Sequence, residues 1–373
     1  MFKDFGIIKM NDELKNKQIK KKIVKYINFL KLNLSGLKIY TEVGSGNYLY
    51  TPIIASIAGA RKTYAIVNDS KYGRKEKIKK DIELVMRQFN INNIEVVFEK
   101  KESDLEQCDI ITNSGFVRPI DKETIMSLKN TAVIPLMWET WEFRPEEIDI
   151  FECKKKNILV LGTNEHNSSL RITEAAGFLL CKVLFDAGRS VFRDKILLIS
   201  SGAMGDLFSD FLDRNFIDYD RLNFDNNLQR KHSNSVKTIE VVLQSIAQYD
   251  VIVVAEHIFN HDLMSDNGII RCNLLSKENP FVNVVHICGN VNINDIKKHN
   301  IMIYPNNPAP FGYMTVTADT FDPESVIELN TAGLKVGEVM ARCRLNNMSI
   351  KDTINYTLKN SPAMDFEGGF LNL

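Results

Sequence analysis

The chain has 373 residues, 44% of them hydrophobic and 25% charged, and its 47 basic side chains are balanced by 47 acidic ones. This length supplies one large domain or two ordinary ones, with a core that needs no disulfide or metal staple, so a small-module reading is excluded. The charge balance excludes a general nucleic-acid binder, which carries a basic excess.

The first residues lack the basic cap, apolar run and small-residue cleavage site of a secretory signal, so export is not expected. Cys108, Cys153, Cys181, Cys272, Cys288 and Cys343 stand apart with no CxxC pair, which suits reduced thiols in a cytoplasm. The longest charge-free run, 299–318, carries Asn306, Asn307 and three prolines, so no segment is expected to span a membrane.

Residues 1–40 hold ten lysines against Asp4, Asp12 and Glu13. Ile19, Ile23, Ile27 and Leu30 recur there at helical spacing, which predicts an amphipathic helix with a solvated lysine face. Short apolar runs then follow at 37–43, 63–67, 94–98, 109–112, 131–137 and 158–161. Helix-length segments separate them, the pattern of a parallel sheet with crossover helices. A long helical stretch over 168–187 opens a second series, with strands at 195–200, 250–255, 283–288 and 301–304. The pattern predicts two Rossmann-like or flavodoxin-like α/β domains with parallel sheets and a cleft between them. Residues 1–165, completed by 345–373, are expected to form the first domain and 166–344 the second.

The strongest local motif lies at 195–205, where an apolar strand runs into Ser200-Ser201-Gly202-Ala203-Met204-Gly205 and then a helix. Small residues in such a turn let backbone amides approach a pyrophosphate at the positive end of the helix. Ser200 stands at the first glycine position of G-x-G-x-x-G, while Gly202 and Gly205 keep the second and third. Asp225, twenty residues after Gly205, follows a strand expected over 221–224 and can accept ribose hydroxyls, which favours NAD over NADP; Asp220 is the alternative acid. An earlier turn, with Glu42, Gly44 and Gly46 after a strand and Asp69 after the next, also suits S-adenosylmethionine held as in a methyltransferase.

Four segments, Cys108–Gly115, Arg118–Asp121, Glu147–Cys153 and Asn157–Asn164, together resemble a stretch of the D-2-hydroxyacid dehydrogenase (formate/glycerate dehydrogenase-like) family. The order of elements follows that family from about 108 to 340, and S-adenosylhomocysteine hydrolases are a more distant likeness. The resemblance implies a dinucleotide in the interdomain cleft, a C-terminal helix over 323–344 returning toward the first domain, and a homodimer joined through the cofactor domains. Two departures stand out. Cys288 occupies the family's substrate-binding Arg position, and Asn306 stands where the catalytic His follows a proline. A thiol and an amide cannot clamp a carboxylate or relay a proton as a guanidinium and an imidazole do, so the 2-hydroxyacid reaction is not expected.

Other residues must then carry the chemistry. His257 with the adjacent Glu256, after the strand that ends at Ala255, is an acid/base candidate bordering the nicotinamide side. His166 and Arg171, at the domain junction, are candidates for ligand contact, whereas His286 inside an apolar strand reads as a hydrogen-bonded core residue. Trp138, Glu139 and Arg144, within a segment of two tryptophans and an arginine at the family's substrate loop, read as substrate contacts, as does Asn306 in the proline-stiffened loop after the last strand. No His, Cys and carboxylate cluster has metal-ligand spacing, and no Walker or G-x-S-x-G motif is present. The sequence therefore reads as a cytoplasmic NAD(P)-dependent oxidoreductase that moves a hydride to or from a small polar metabolite, with no nucleic-acid or membrane partner. The alternatives are an S-adenosylmethionine-dependent methyltransferase built on the N-terminal turn, and a non-catalytic dinucleotide-binding protein.

Overall fold

The structure is a computed structural model that describes residues 12–138, 140, 144–225, 235–317, 323–365 and 369–370. The chain forms two units, Met1–Leu170 with Pro323–Leu373, and Arg171–Asp322. In chain order the first unit runs α1 (Asp12–Phe29), β1 (Lys38–Glu42), α2 (Tyr50–Ile57), β2 (Lys62–Ile66), α3 (Lys75–Phe89), β3 (Ile94–Val97), α4 (Glu102–Leu105), β4 (Ile110–Ile111), α5 (Lys122–Ser127), β5 (Val133–Pro135), α6 (Ile150–Lys156) and β6 (Leu159–Thr163). The second unit contains α7 (Ile172–Asp186), β7 (Ile196–Ile199), α8 (Gly202–Arg214), β8 (Tyr219–Leu222), β9 (Val236–Lys237), α9 (Ile239–Gln244), β10 (Val251–Ala255), β11 (Met264–Ser265), β12 (Ile270–Arg271), α10 (Cys272–Glu278), β13 (Asn283–Cys288), α11 (Ile293–Lys298) and β14 (Met302–Tyr304). The chain then returns to the first unit as α12 (Pro323–Leu345), α13 (Ile350–Asn360) and β15 (Ala363–Met364).

Each unit is a parallel α/β sheet, as the alternation of apolar runs and helices requires. Strands such as β6, β7 and β10 are buried at every position, which is why they read as continuous apolar runs rather than alternating ones. The first sheet has the order β15-β6-β5-β4-β1-β2-β3, with β15 antiparallel to β6 at one edge. The second has the order β14-β13-β10-β7-β8-β9 with every pairing parallel. In each sheet the strand order reverses beside the first strand, at β1/β4 and at β7/β10. Open α/β sheets form ligand crevices at such points, beyond the carboxyl ends of the strands.

The lysine-rich segment is a helix, and Ile19, Ile23 and Ile27 pack into the first core as their spacing predicts. Part of its lysine face is spoken for within the unit. Lys25 and Lys22 pair with Glu324 at 2.7 and 2.9 Å, and the Tyr26 hydroxyl donates to the same carboxylate at 3.0 Å. Burial alone raises a carboxyl, but these three bonds outweigh it and hold Glu324 at about 2.

One boundary differs from the sequence reading. The helix assigned to the second domain, 323–344, belongs to the first unit. Gly333 and Gly337 explain the placement: a Cβ on Gly333 would lie 2.8 Å from Met137 Sδ, and one on Gly337 would lie 2.9 Å from Ile110 Cγ2. Two glycines four residues apart thus let α12 lie against the first sheet, where most of its side chains are buried. The strand expected over 221–224 is also earlier, at Tyr219–Leu222. Five of the six cysteines are buried, and none forms a disulfide. Among the described residues no helix is long and apolar enough to cross a membrane.

Candidate functional site

The carboxyl ends of β7, β8 and β10 meet around Ser201. Its hydroxyl donates to Glu256 Oε2 at 2.5 Å and accepts the Phe224 amide at 2.9 Å, so one side chain ties together the three loops that follow those strands. Ser200 is fully buried and donates to the Ala255 carbonyl at 2.8 Å. Gly202 has φ +59°, a conformation that favours glycine, and it opens α8. Ser201 sits at the N-cap but makes no side-chain cap to the helix, because its hydroxyl is spent on Glu256. The first amides of α8 have no intrahelical acceptor by construction, and Ala203 is exposed and Met204 half-buried at that end. This arrangement fits an anionic pyrophosphate: donors without internal partners at the positive end of a thirteen-residue helix, beneath a turn with little side-chain bulk.

Gly205 serves a purpose the motif alone does not disclose. Arg221 of β8 is only 1% exposed and lies directly beneath the turn. Its guanidinium donates to the Ser200 carbonyl at 2.8 Å, the Gly202 carbonyl at 3.2 Å and Asp206 Oδ1 at 2.6 Å. A Cβ on Gly205 would collide with Arg221 Nη2 and come within 2.6 Å of both its Cζ and the Ser200 carbonyl. The third glycine therefore makes room for a buried cation that holds the turn from below. The sequence reading missed Arg221; the one available signal was a second charged residue beside Asp220 in a four-residue strand.

Asp225 stands half-buried three residues beyond the end of β8, on the crevice side. Asp220, the alternative acid, pairs with Lys195 and Lys237 and accepts the Tyr249 hydroxyl at 3.0 Å, so it is committed elsewhere. Beside Asp225, Phe224 meets the His261 ring edge-on at 4.7 Å, and Phe259 stacks on His261 at 5.8 Å. These rings flank the loops after β8 and β10 with apolar faces suited to a flat heterocycle.

Glu256 is not a free acid beside His257. It is fully buried, Oε2 accepts from Ser201, and Oε1 accepts the Ile258 and Phe259 amides at 2.9 and 3.1 Å. Its carboxylate fastens the loop after β10 to the glycine turn, and His257 next to it is half-buried. His166 is exposed on the loop after β6 in the first unit, and Arg171 is exposed at the N-cap of α7. Asn306 is exposed after β14, the sheet-edge strand two strands removed from β10, so it stands apart from the β7/β10 point. His286 is a core histidine, as its strand predicts: Nε2 donates to the Gly289 carbonyl at 3.0 Å, which leaves Nδ1 to accept from Thr315 Oγ1 at 2.7 Å.

The first unit gathers a second group of polar side chains at β1/β4. Glu42, at the end of β1, is half-buried and its Oε2 accepts the Phe116 amide at 2.9 Å. Arg118 pairs with Glu147 and lies 5.5 Å from the Trp138 ring, and Arg144 Nη1 donates to the same Glu147 oxygen at 3.0 Å. Trp138 and Arg144 thus belong to one cluster, while Glu139 lies outside the described residues. Asp69 is exposed, pairs with Arg74 and accepts the Lys75 amide at 2.9 Å, closing its own turn. Among the described residues no group of His, Cys and carboxylates could hold a metal ion.

No protein-family model matches the chain, and no curated protein matches it in sequence. Solved structures do match. The chain is similar to the A component of dipicolinate synthase from Bacillus halodurans, with 11% identity over 84% of this chain and 99% of that one and a TM-score of 0.54. The corresponding component of dipicolinate synthase from Bacillus subtilis matches at 10% identity over 86% and 99% of the two chains, with a TM-score of 0.51. At these identities the likeness establishes the fold, a two-unit α/β architecture shared along nearly the whole length of those chains.

Proposed function

We propose that the chain is an NAD-dependent oxidoreductase that moves a hydride to or from a small polar metabolite. The observation that carries this reading is the Ser200–Gly205 turn, placed at the strand-order reversal of an all-parallel sheet and opening α8 with Gly202 at positive φ. The Gly202, Ala203 and Met204 amides would hold the pyrophosphate, Asp225 the adenosine ribose, and the Phe224, Phe259 and His261 rings the adenine. The bound nicotinamide supplies or takes up the hydride.

In this reading His257 exchanges the accompanying proton, and Glu256 positions it by fixing the loop. His166, Trp138, Arg144, Arg171 and Glu139 are proposed ligand contacts, whereas Asn306, which stands apart from the β7/β10 point, is not. The reading extends to a cytoplasmic homodimer. An acid after β8, with the buried Arg221 turned inward to carbonyls, supports NAD over NADP, because no guanidinium of β8 is left for a 2′-phosphate. The committed Asp69 weighs against the methyltransferase alternative.

Gly202→Asp places a carboxylate and a strained backbone where the pyrophosphate would lie. NADH binding, followed by nucleotide fluorescence, is expected to weaken by about 100-fold or more, equivalent to about 3 kcal/mol. Met204→Glu, which puts a charge at the same helix end without backbone strain, should weaken it in the same direction. Wild-type affinity in both variants would refute the assignment.

A further inference from the structure

Three phenylalanines of the second unit stand largely in water at one face of its sheet. Phe192, Phe216 and Phe281 are 74%, 96% and 80% exposed. They lie in the loops that lead into β7, β8 and β13. In an all-parallel sheet those loops share the amino-end face, opposite the carboxyl-end crevice of the Ser200–Gly205 turn. Because β13, β10, β7 and β8 are successive neighbours, the three loops fall within roughly 15 Å at ordinary strand spacing. None of the rings is needed to hold its loop, since each adjoins a buried aliphatic residue, Val191, Ile217 or Val282, that already anchors the loop in the core. The loop before β7 is further fixed by Asp194, whose Oδ2 accepts from Arg189 Nε at 2.7 Å and from the Ser190 amide at 2.9 Å. Phe216 is also strained. Its φ is +56°, in the left-handed region, where a bulky side chain is unfavourable by about 1 kcal/mol and glycine or asparagine is the ordinary choice after a helix. A ring that strains its backbone and leaves nearly its whole surface in water gains little within the isolated fold, which marks it as a contact for another surface.

We propose that this amino-end face binds the same face of a second copy of the chain, ring against ring about a two-fold axis. Two observations favour a second copy over a different partner. The rim is electrically balanced: the exposed charges nearest in sequence to the three rings are Arg193, Arg214 and Lys277 against Asp213, Asp218 and Glu278. Equal numbers of both signs give no net attraction for a polyanion or an anionic surface, and they let each copy set its charges against opposite ones across the axis. The area also suits self-association. The three rings offer roughly 500 Å² of apolar surface. That is more than half of the ~800 Å² per partner that a standard interface buries, and the loops and charged rim supply the remainder. The proposal rests on the homodimer reading and gives it a surface that leaves the carboxyl-end crevice of each second unit uncovered.

The test is sedimentation equilibrium of the full chain over micromolar concentrations, comparing wild type with Phe216→Arg and Phe281→Arg. Wild type is expected to be a dimer. Each arginine variant should raise the dimer dissociation constant by about 100-fold or more with an unchanged circular dichroism spectrum, because it replaces an exposed residue and brings like charges together across the axis. Phe216→Gly, which removes the ring and relieves the left-handed backbone, should weaken the dimer in the same direction, which separates loss of the contact from strain or misfolding in a variant. A wild-type dimer whose dissociation constant either arginine variant leaves unchanged would overturn the proposal while the homodimer reading stood on another surface. A wild-type monomer throughout the range would overturn both.

Discussion

Gly205→Ala is expected to destabilise the protein by about 3–5 kcal/mol, although it adds only a methyl group to a helix. Alanine is ordinarily the better helix former by about 1 kcal/mol, so the expected sign is opposite to propensity. The reason lies beneath the helix. The added carbon would occupy the space of the Arg221 guanidinium, which is 1% exposed and bonded to the Ser200 and Gly202 carbonyls and to Asp206. The cation cannot reach water by changing rotamer without breaking all three bonds, and a buried charge stripped of its partners is among the most costly defects a core can hold. Urea unfolding measures the loss directly. A variant as stable as wild type would show that Arg221 does not brace the turn. The same substitution should loosen the turn itself, so a stabilised background is needed to test nucleotide binding in it.

Acid is expected to cost the second unit a further increment through His286. Burial drives this imidazole down from 6.5 to about 4, with the bond to the Gly289 carbonyl opposing that drop only in part. The folded protein therefore holds His286 neutral where the unfolded chain would protonate it. This contribution is fully present above about pH 6.5 and is lost progressively as the pH falls toward 4. A displacement of that size corresponds to about 3 kcal/mol between the two limits. Protonation would also turn Nδ1 from an acceptor into a donor, so the Thr315 hydroxyl, which takes the Ala309 amide at 2.8 Å, could no longer donate to it. Comparing urea unfolding at pH 7 and 4.5 in wild type and His286→Gln isolates this group from the carboxylates. The wild-type drop should exceed the variant's by about 2 kcal/mol or more. Equal drops would contradict it.

What the sequence made legible follows from how far each signal reaches along the chain. Parallel strands announce themselves locally, because burial on both faces leaves apolar runs such as 251–255, and the turn at Gly202 and Gly205 is a local motif with a local geometric cause. The role of Gly205 was less visible, since the side chain it accommodates comes from β8, sixteen residues on. Glu256 was misread for a related reason. It adjoins His257 in sequence, but successive residues at a strand end point to opposite sides, and Glu256 faces the glycine turn where Ser201 and two amides engage it. The placement of α12 depends on Gly333 and Gly337 meeting β4 and the end of β5, contacts across some two hundred residues that no window contains.

Which unit binds a nucleotide, and which nucleotide that is, decides the function. The most direct measurement is thermal stabilisation of the full chain by NAD, NADH, NADP, NADPH, S-adenosylmethionine and S-adenosylhomocysteine. A ligand at a hundred times its dissociation constant should stabilise by about 2.7 kcal/mol. The expected result is a shift with NAD and NADH that Gly202→Asp removes and that the two S-adenosyl compounds do not produce. A shift with S-adenosylmethionine and none with NAD or NADH would contradict the proposed function, and would move the functional site from the turn after β7 to the turn after β1.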